Sequence, residues 1–274
     1  MAPSPTGYLH LGHAMTFWRA QERARAAGGE LILRIEDIDG ARCRPEFREA
    51  IMDDLKWFGL AWQEGPDVGG PFAPYLQSER RSQYLFALQE LVRAGHVYPC
   101  SCSRKDVAEA AAAPHDENEE PIYPGTCRSA RAGALAAPVQ PAGVNWRFRV
   151  PAAEEMRFLD LHLGEQRAVA GRDFGDFIVW RRDDVPAYQL AVMVDDAAMR
   201  VTEVVRGEDL LVSTFRQILL YRALGKEPPA FFHAALVVDE LGRRLAKRHA
   251  SLSLRALRDS GVSPEEVRAK YANF

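Results

Sequence analysis

No apolar run in this sequence approaches the roughly 20 residues a membrane-spanning helix requires, and no basic-then-apolar leader stands at its start. The expectation is a cytosolic chain with no membrane partner. Charge of one sign is also lacking. Lys and Arg number 35 against 38 Asp and Glu, a formal charge of −3, so any contact with nucleic acid has to be local rather than driven by a global basic field. Cysteine is scarce: Cys43, Cys100, Cys102 and Cys127 are the four in 274 residues. That is too few for a disulfide framework, and no secretion signal accompanies them. Internal repeats and long low-complexity tracts are missing as well, which sets aside solenoids and arrays.

What is present is an ordinary globular composition, 47% hydrophobic and 27% charged, with a length that suits one large domain or a core domain with an insertion. "GHAMTFWRAQERARAAGG" carries helical spacing and stops at Gly28-Gly29. "ELILRIEDID" then has the alternation and branched apolar content of a strand. Further on, "GDFIVWRR", "YQLAVMVDDAAM" and "RVTEVVRG" are strand-like, and "STFRQILLYRALG" is helical. The order predicts a Rossmann-like α/β fold with a doubly wound parallel sheet over 1–97 and 150–240. The stretch 98–149, rich in Ala, Pro and acids, reads as an insertion, and 241–274 as a basic loop with short C-terminal helices.

The segment "PSPTGYLHLGHA" is the first to carry chemistry. A loop that ends at a helix N-terminus offers unpaired N–H groups and the positive end of the helix dipole, a seat for phosphate. Gly12 lets the backbone approach closely, and His10 and His13 add donors where charge develops as a nucleotidyl bond breaks. Cys100, Cys102 and Cys127 give three thiolates, a partial zinc shell that wants a fourth ligand; His115 and a water are candidates. Such a site would fold the insertion and take no part in catalysis. Cys43, far away in "GARCRPEF", reads as an ordinary small side chain.

Taken in order, "APSPTGYLHLGHA", "RIEDID", "YQLAVMVDDA", "VTEVVRGEDLL" and "RRLAKR" resemble the catalytic core of the class I glutamyl-tRNA synthetases over nearly the whole chain. His10-Leu11-Gly12-His13 matches the family's HIGH signature, and Arg244 to Arg248 stands where its KMSKS loop is expected, with Lys247 at the position that contacts ATP. Two departures stand out: Arg244 replaces the loop's first lysine and Ala246 its serine. Arg243, Arg248 and His249 add positive charge beside it, solvated or touching RNA phosphates. The family has an arginine two residues before the alanine of "APSP", where this chain has only Met1 before Ala2.

The chain stops within about thirty residues of that loop, which makes it similar to the family's short branch, the glutamyl-Q tRNA(Asp) synthetases. The resemblance implies activation of L-glutamate with ATP and Mg²⁺ and transfer to the queuosine base in the tRNA(Asp) anticodon loop. It also implies that Ala2, Ser4, Glu36, Tyr188 and Arg206 bind glutamate, that His10, Gly12, His13 and Lys247 bind ATP, and that Tyr123 completes the zinc set. On chemistry, a two-carboxylate, α-amino ligand does need a carboxylate for its ammonium and a guanidinium for its side chain. The expected assembly state is a monomer. Two other readings fit the same motifs: a truncated glutamyl-tRNA synthetase that charges a tRNA acceptor end, and a silent tRNA-binding paralogue that keeps the fold.

Overall fold

A computed structural model describes residues 1–103, 105–107, 122–128, 138–237 and 253–271. The chain divides into two compact units, one of residues 1–80, 202–211 and 230–274, the other of 81–201 and 212–229. The sequence-expected insertion, 98–149, falls within the second.

In the first unit, helix α1 (Leu11–Ala26) follows an extended N-terminal segment, and Gly28 takes the left-handed conformation (φ 64°) that ends it. The segment after it is extended but forms only single parallel bridges, Ile32 with Glu64 and Ile35 with Leu76, where a continuous strand was expected. Its other edge is filled by the N-terminal segment, because the amides of Arg34 and Glu36 donate to the carbonyls of Met1 and Pro3 at 2.9 Å each. Helix α2 (Pro45–Trp57) enters through Pro45 at its first turn. Strands β6 (Glu203–Gly207) and β7 (Ala230–Ala234) pair in parallel with Arg206 opposite His233. Leu9, Leu11, Met15, Leu33, Ile35, Leu55, Phe58 and Leu254 belong to one apolar core that joins these pieces. The short helices α6 (Leu254–Asp259) and α7 (Pro264–Lys270) close the unit, each capped at its N-terminus by a serine side chain, Ser253 and Ser263.

In the second unit, helix α3 (Arg81–Arg93) leads into β1 (Val97–Cys100), which pairs antiparallel with β2 (Asn145–Phe148). Strand β5 (Ile178–Trp180) adds to β2, so "GDFIVWRR" joins an antiparallel sheet. Strands β3 (Glu155–Asp160) and β4 (Gly164–Val169) form an antiparallel hairpin. "YQLAVMVDDAAM" is helix α4 (Tyr188–Ala198), not a strand. The apolar stretch Leu190–Val194 carries no period to separate the two, and eleven residues exceed a usual strand. Asp195 inside this run is fully buried and accepts from the Tyr84 hydroxyl of α3 at 2.9 and 3.0 Å, a partner supplied from 111 residues away. Helix α5 (Leu211–Ala223) matches its sequence pattern.

Among the described residues no helix is long and apolar enough to cross a membrane.

Candidate active site and metal centre

His10 occupies the N-cap position of α1 with extended backbone (φ −87°, ψ 149°) and makes no side-chain cap there, so its imidazole does not close off the helix end. It is buried, whereas His13, one turn in, is exposed. The first turn of α1 contains no acidic residue, which keeps the positive end of the dipole available to an anion. A side chain placed at Gly12 would meet no atom of the described residues within 4 Å.

Ser253 forms an antiparallel bridge with His10, and the Leu254 amide donates to the Leu9 carbonyl at 2.8 Å. The residue six positions beyond Lys247 is thereby fixed against the first histidine. Arg244, Ala246, Lys247 and their neighbours Arg243, Arg248 and His249 lie outside the described residues. One to two turns into α1, a small cleft is lined by Met15, Thr16 and Arg19 of the helix with Ala234 and Val237.

Backbone pairing places Ala2 and Ser4 along the same edge as Glu36, since the Glu36 amide donates to Pro3. "RIEDID" holds three acids, and two of them serve the local fold. Asp37 accepts from the Ser78 amide and hydroxyl at 2.8 and 2.7 Å, and Asp39 from Arg42 at 2.8 Å. Glu36, whose side chain is 12% exposed, lies 3.4 Å from the buried Arg34. Arg206 is 7% exposed in β6, with its Nε donating to His233 Nε2 at 3.3 Å and its guanidinium over the Phe231 ring. Arg34 and His233 carry no signal of their own in the sequence: Arg34 lies beside Glu36 because alternate residues of an extended segment share a face, and His233 stands opposite Arg206 in the β6–β7 register. Tyr188 opens α4 in the second unit and is 39% exposed.

The cysteines form a second centre. Cys100 comes from the end of β1, Cys102 from two residues on, and Cys127 from the described piece 122–128. Their sulfurs lie within 4.8 Å of one another, with Cys102 and Cys127 at 3.6 Å. Tyr123 Oη stands 3.4 Å from Cys100 Sγ and 3.5 Å from Cys102 Sγ, and the Cys127 amide donates to it at 2.8 Å. Zinc–sulfur bonds of about 2.3 Å at tetrahedral angles separate two sulfurs by about 3.8 Å and a sulfur from an oxygen by about 3.5 Å. The donor set has those dimensions, so these residues fit a zinc ion. His115 lies outside the described residues, and Cys43 stands apart, its thiol pushed up by burial and by Asp37 and Asp39. Tyr123's hydrogen bond holds the Cys127 thiol down to about 6, toward the thiolate a metal requires, while burial and the sulfurs push the Tyr123 hydroxyl upward. Tyr98, Cys100, Val107 and Tyr123 are the buried residues of the small apolar cluster here. At about 1.5–3 kcal/mol per large side chain, so small a cluster adds little toward ordering a long insertion.

Residues 1–272 match the catalytic-domain family of class I tRNA synthetases (E and Q). Two curated relatives are glutamyl-Q tRNA(Asp) synthetases. The one from Symbiobacterium thermophilum is 53% identical over 97% of this chain and 82% of its own length, and that from Nitratidesulfovibrio vulgaris 50% over the same shares. The crystal structure of the glutamate-tRNA synthetase from Elizabethkingia anophelis superposes with a TM-score of 0.77 at 32% identity, over 90% of this chain and 52% of that one. The chain belongs to the class I glutamyl- and glutaminyl-type tRNA synthetases, an enzyme family of ligases, and within it to the glutamyl-Q tRNA(Asp) synthetase branch. The α/β fold expected from the motifs is the fold of that family.

Proposed function

We propose that this enzyme activates L-glutamate with ATP and transfers it to the queuosine base in the anticodon of tRNA(Asp). The observation that best supports the reading is the pairing of a withdrawn acid, Glu36, and a buried guanidinium, Arg206, in the same unit as an acid-free helix N-terminus bearing His10 and His13. Glu36 takes the substrate ammonium, with Ala2 and Ser4 beside it, and Arg206 takes the side-chain carboxylate. Tyr188 keeps the glutamate-binding role that the family resemblance assigns to it. His10, His13 and the amides of the α1 first turn, Gly12 among them, hold the triphosphate, with Lys247 contributing a cation from its loop.

In the first step a glutamate α-carboxylate oxygen attacks the α-phosphorus, and the bond to the β-phosphate oxygen breaks, releasing pyrophosphate. Donors already fixed at the helix end stabilise the charge that builds on the departing oxygens without having to reorganise. In the second step a hydroxyl oxygen of the queuosine base attacks the acyl carbon, the bond from that carbon to the adenylate phosphate oxygen breaks, and AMP departs, with the hydroxyl proton passing to its phosphate or to solvent. A base read in a single-stranded loop is held by stacking and edge hydrogen bonds. Cys100, Cys102, Cys127 and Tyr123 would hold one zinc ion, which cross-links the insertion and supplies folding energy.

The test offers radiolabelled glutamate with ATP and Mg²⁺ to tRNA(Asp) from cells that make queuosine, to tRNA(Asp) from cells that cannot, and to tRNA(Glu). Label is expected on the first alone. Label on tRNA(Glu), or equal label on both tRNA(Asp) samples, makes the enzyme an acceptor-end charging synthetase instead. Absence of label together with absence of glutamate-dependent pyrophosphate exchange leaves the binding paralogue.

A further inference from the structure

Arg147 in β2 is 7% exposed, and its surroundings are unusual for a buried guanidinium. Nε donates to Cys100 Sγ at 3.3 Å, Nη1 donates to the Asp176 backbone carbonyl at 3.0 Å, and the guanidinium carbon lies 4.0 Å from the centre of the Tyr123 ring. Among the described residues no carboxylate is in ion-pair range of it. The Asp176 carboxylate is taken by others: Arg128 and the Val150 amide donate to one oxygen at 2.9 and 2.8 Å, the Tyr98 hydroxyl to the other at 2.6 Å. Arg149, two residues on, faces a different way, with its guanidinium over the Tyr98 ring.

A buried cation without a countercharge is heavily penalised. Among the described residues, the groups that Arg147 meets by hydrogen bond or ring contact, other than a backbone carbonyl, are two members of the candidate zinc set, a sulfur and an aromatic ring. Three thiolates around a divalent ion carry one net negative charge, and a phenolate in the fourth place makes it two. We propose that Arg147 is the buried counter-ion of the metal centre, balancing the negative charge of the ligand set through Cys100 and Tyr123. The inference rests on reading Cys100, Cys102, Cys127 and Tyr123 as zinc ligands. In this role Arg147 favours the metal-loaded form specifically. Loss of Arg147 should therefore weaken the metal-loaded form more than the metal-free one.

The experiment compares the full chain with R147M, R147Q, R147K and, as a control that does not touch the ligands, R149M. Zinc affinity is read by competition with a chromophoric chelator, the ligand field by the sulfur-to-cobalt bands of the cobalt-substituted protein, and stability by melting with and without zinc. R147M and R147Q should bind zinc about 10–100-fold more weakly, the usual effect of removing an outer-sphere partner. R147K, which keeps the charge, should retain most of the affinity, and R149M all of it. R147M should lose more stability with zinc than without it. R147Q can still donate to the Asp176 carbonyl, so it decides the matter if R147M does not fold. Wild-type affinity in both uncharged variants, or an equal stability loss with and without zinc, would assign Arg147 to packing and overturn the proposal. A wild-type chain that binds no zinc overturns the ligand set and the counter-ion together, whereas normal zinc in the wild type with unchanged affinity in R147Q overturns the counter-ion alone.

Discussion

Replacing Arg206 by glutamine removes the cation from the proposed glutamate pocket while keeping a polar side chain in its place. Arg206 sits opposite His233 in the β6–β7 register, and its Nε is committed to that imidazole, so the fork is aimed by the strand pair and not by a freely rotating stem. At 7% exposure, little solvent is available to substitute for the lost charge. Removing one partner of a buried, hydrogen-bonded charge pair costs about 2–5 kcal/mol. At about 1.4 kcal/mol per tenfold, that is roughly a 30-fold to several-thousand-fold loss in kcat/KM for glutamate. The assay is glutamate-dependent exchange of labelled pyrophosphate into ATP without tRNA, which isolates activation from transfer. R206K should recover part of the loss, since it restores charge without the planar fork, and H233A should lose less than R206Q because it only loosens the aim. R206Q should also narrow the preference for glutamate over glutamine, the site no longer leaving a cation unpaired against the amide. A folded R206Q variant whose kcat/KM changes by less than about threefold, under about 0.7 kcal/mol, would refute the placement of Arg206 in the pocket.

Wild-type protein should catalyse that pyrophosphate exchange with no tRNA present, and H13A should slow it by about a hundredfold in a protein that still folds, because His13 is exposed; exchange that appears only on adding tRNA contradicts the assignment. Elemental analysis should find one zinc per chain, and chelation should lower the melting temperature and expose Cys100 and Cys127 to alkylation, whereas metal-free protein that melts identically has no such site. Asp54, fully buried on α2, has a carboxyl held above its ordinary value of 3.8, chiefly by burial and against the pull of Arg255. A raised folded value means that its contribution to stability is fully present below pH 3.8 and is lost as the pH rises through the folded value. Urea titrations across that range should therefore show a steeper fall for wild type than for D54N, and parallel curves would remove Asp54 from the account.

Much of the first unit was readable in the sequence because its elements carry their own punctuation. Helix α1 shows a period and a left-handed glycine at its end, and "RVTEVVRG" became β6. Two segments misled for physical reasons. "ELILRIEDID" has strand composition, yet its neighbours are a short N-terminal segment and two separate pieces around Glu64 and Leu76, so it finds only isolated bridges. "YQLAVMVDDAAM" is buried on nearly every side, and burial on every side erases the periodicity that distinguishes helix from strand. Asp195, fully buried in this helix, accepts from the Tyr84 hydroxyl of α3, a partner that no local pattern announces.

For the candidate site, the dividing line is whether chemistry constrains local spacing. A phosphate seat needs its glycine and histidines within one turn of a helix start, so "HLGH" betrays itself, and thiolates on a Cys-x-Cys span do the same for a metal. Supporting residues obey no such rule. His233 is tied to Arg206, Arg147 to Cys100, and Asp176 to Tyr98 by distances of 27, 47 and 78 positions along the chain. What fixes each pair is strand register and the shape of a turn, and a one-residue slip of β2 against β1 would turn Arg147 to the opposite face of the sheet. Within "RIEDID" the same limit appears at short range. Three acids lie within four residues, and only the backbone decides that Asp37 faces Ser78, that Asp39 faces Arg42, and that Glu36 lies beside Arg34 at the N-terminal edge.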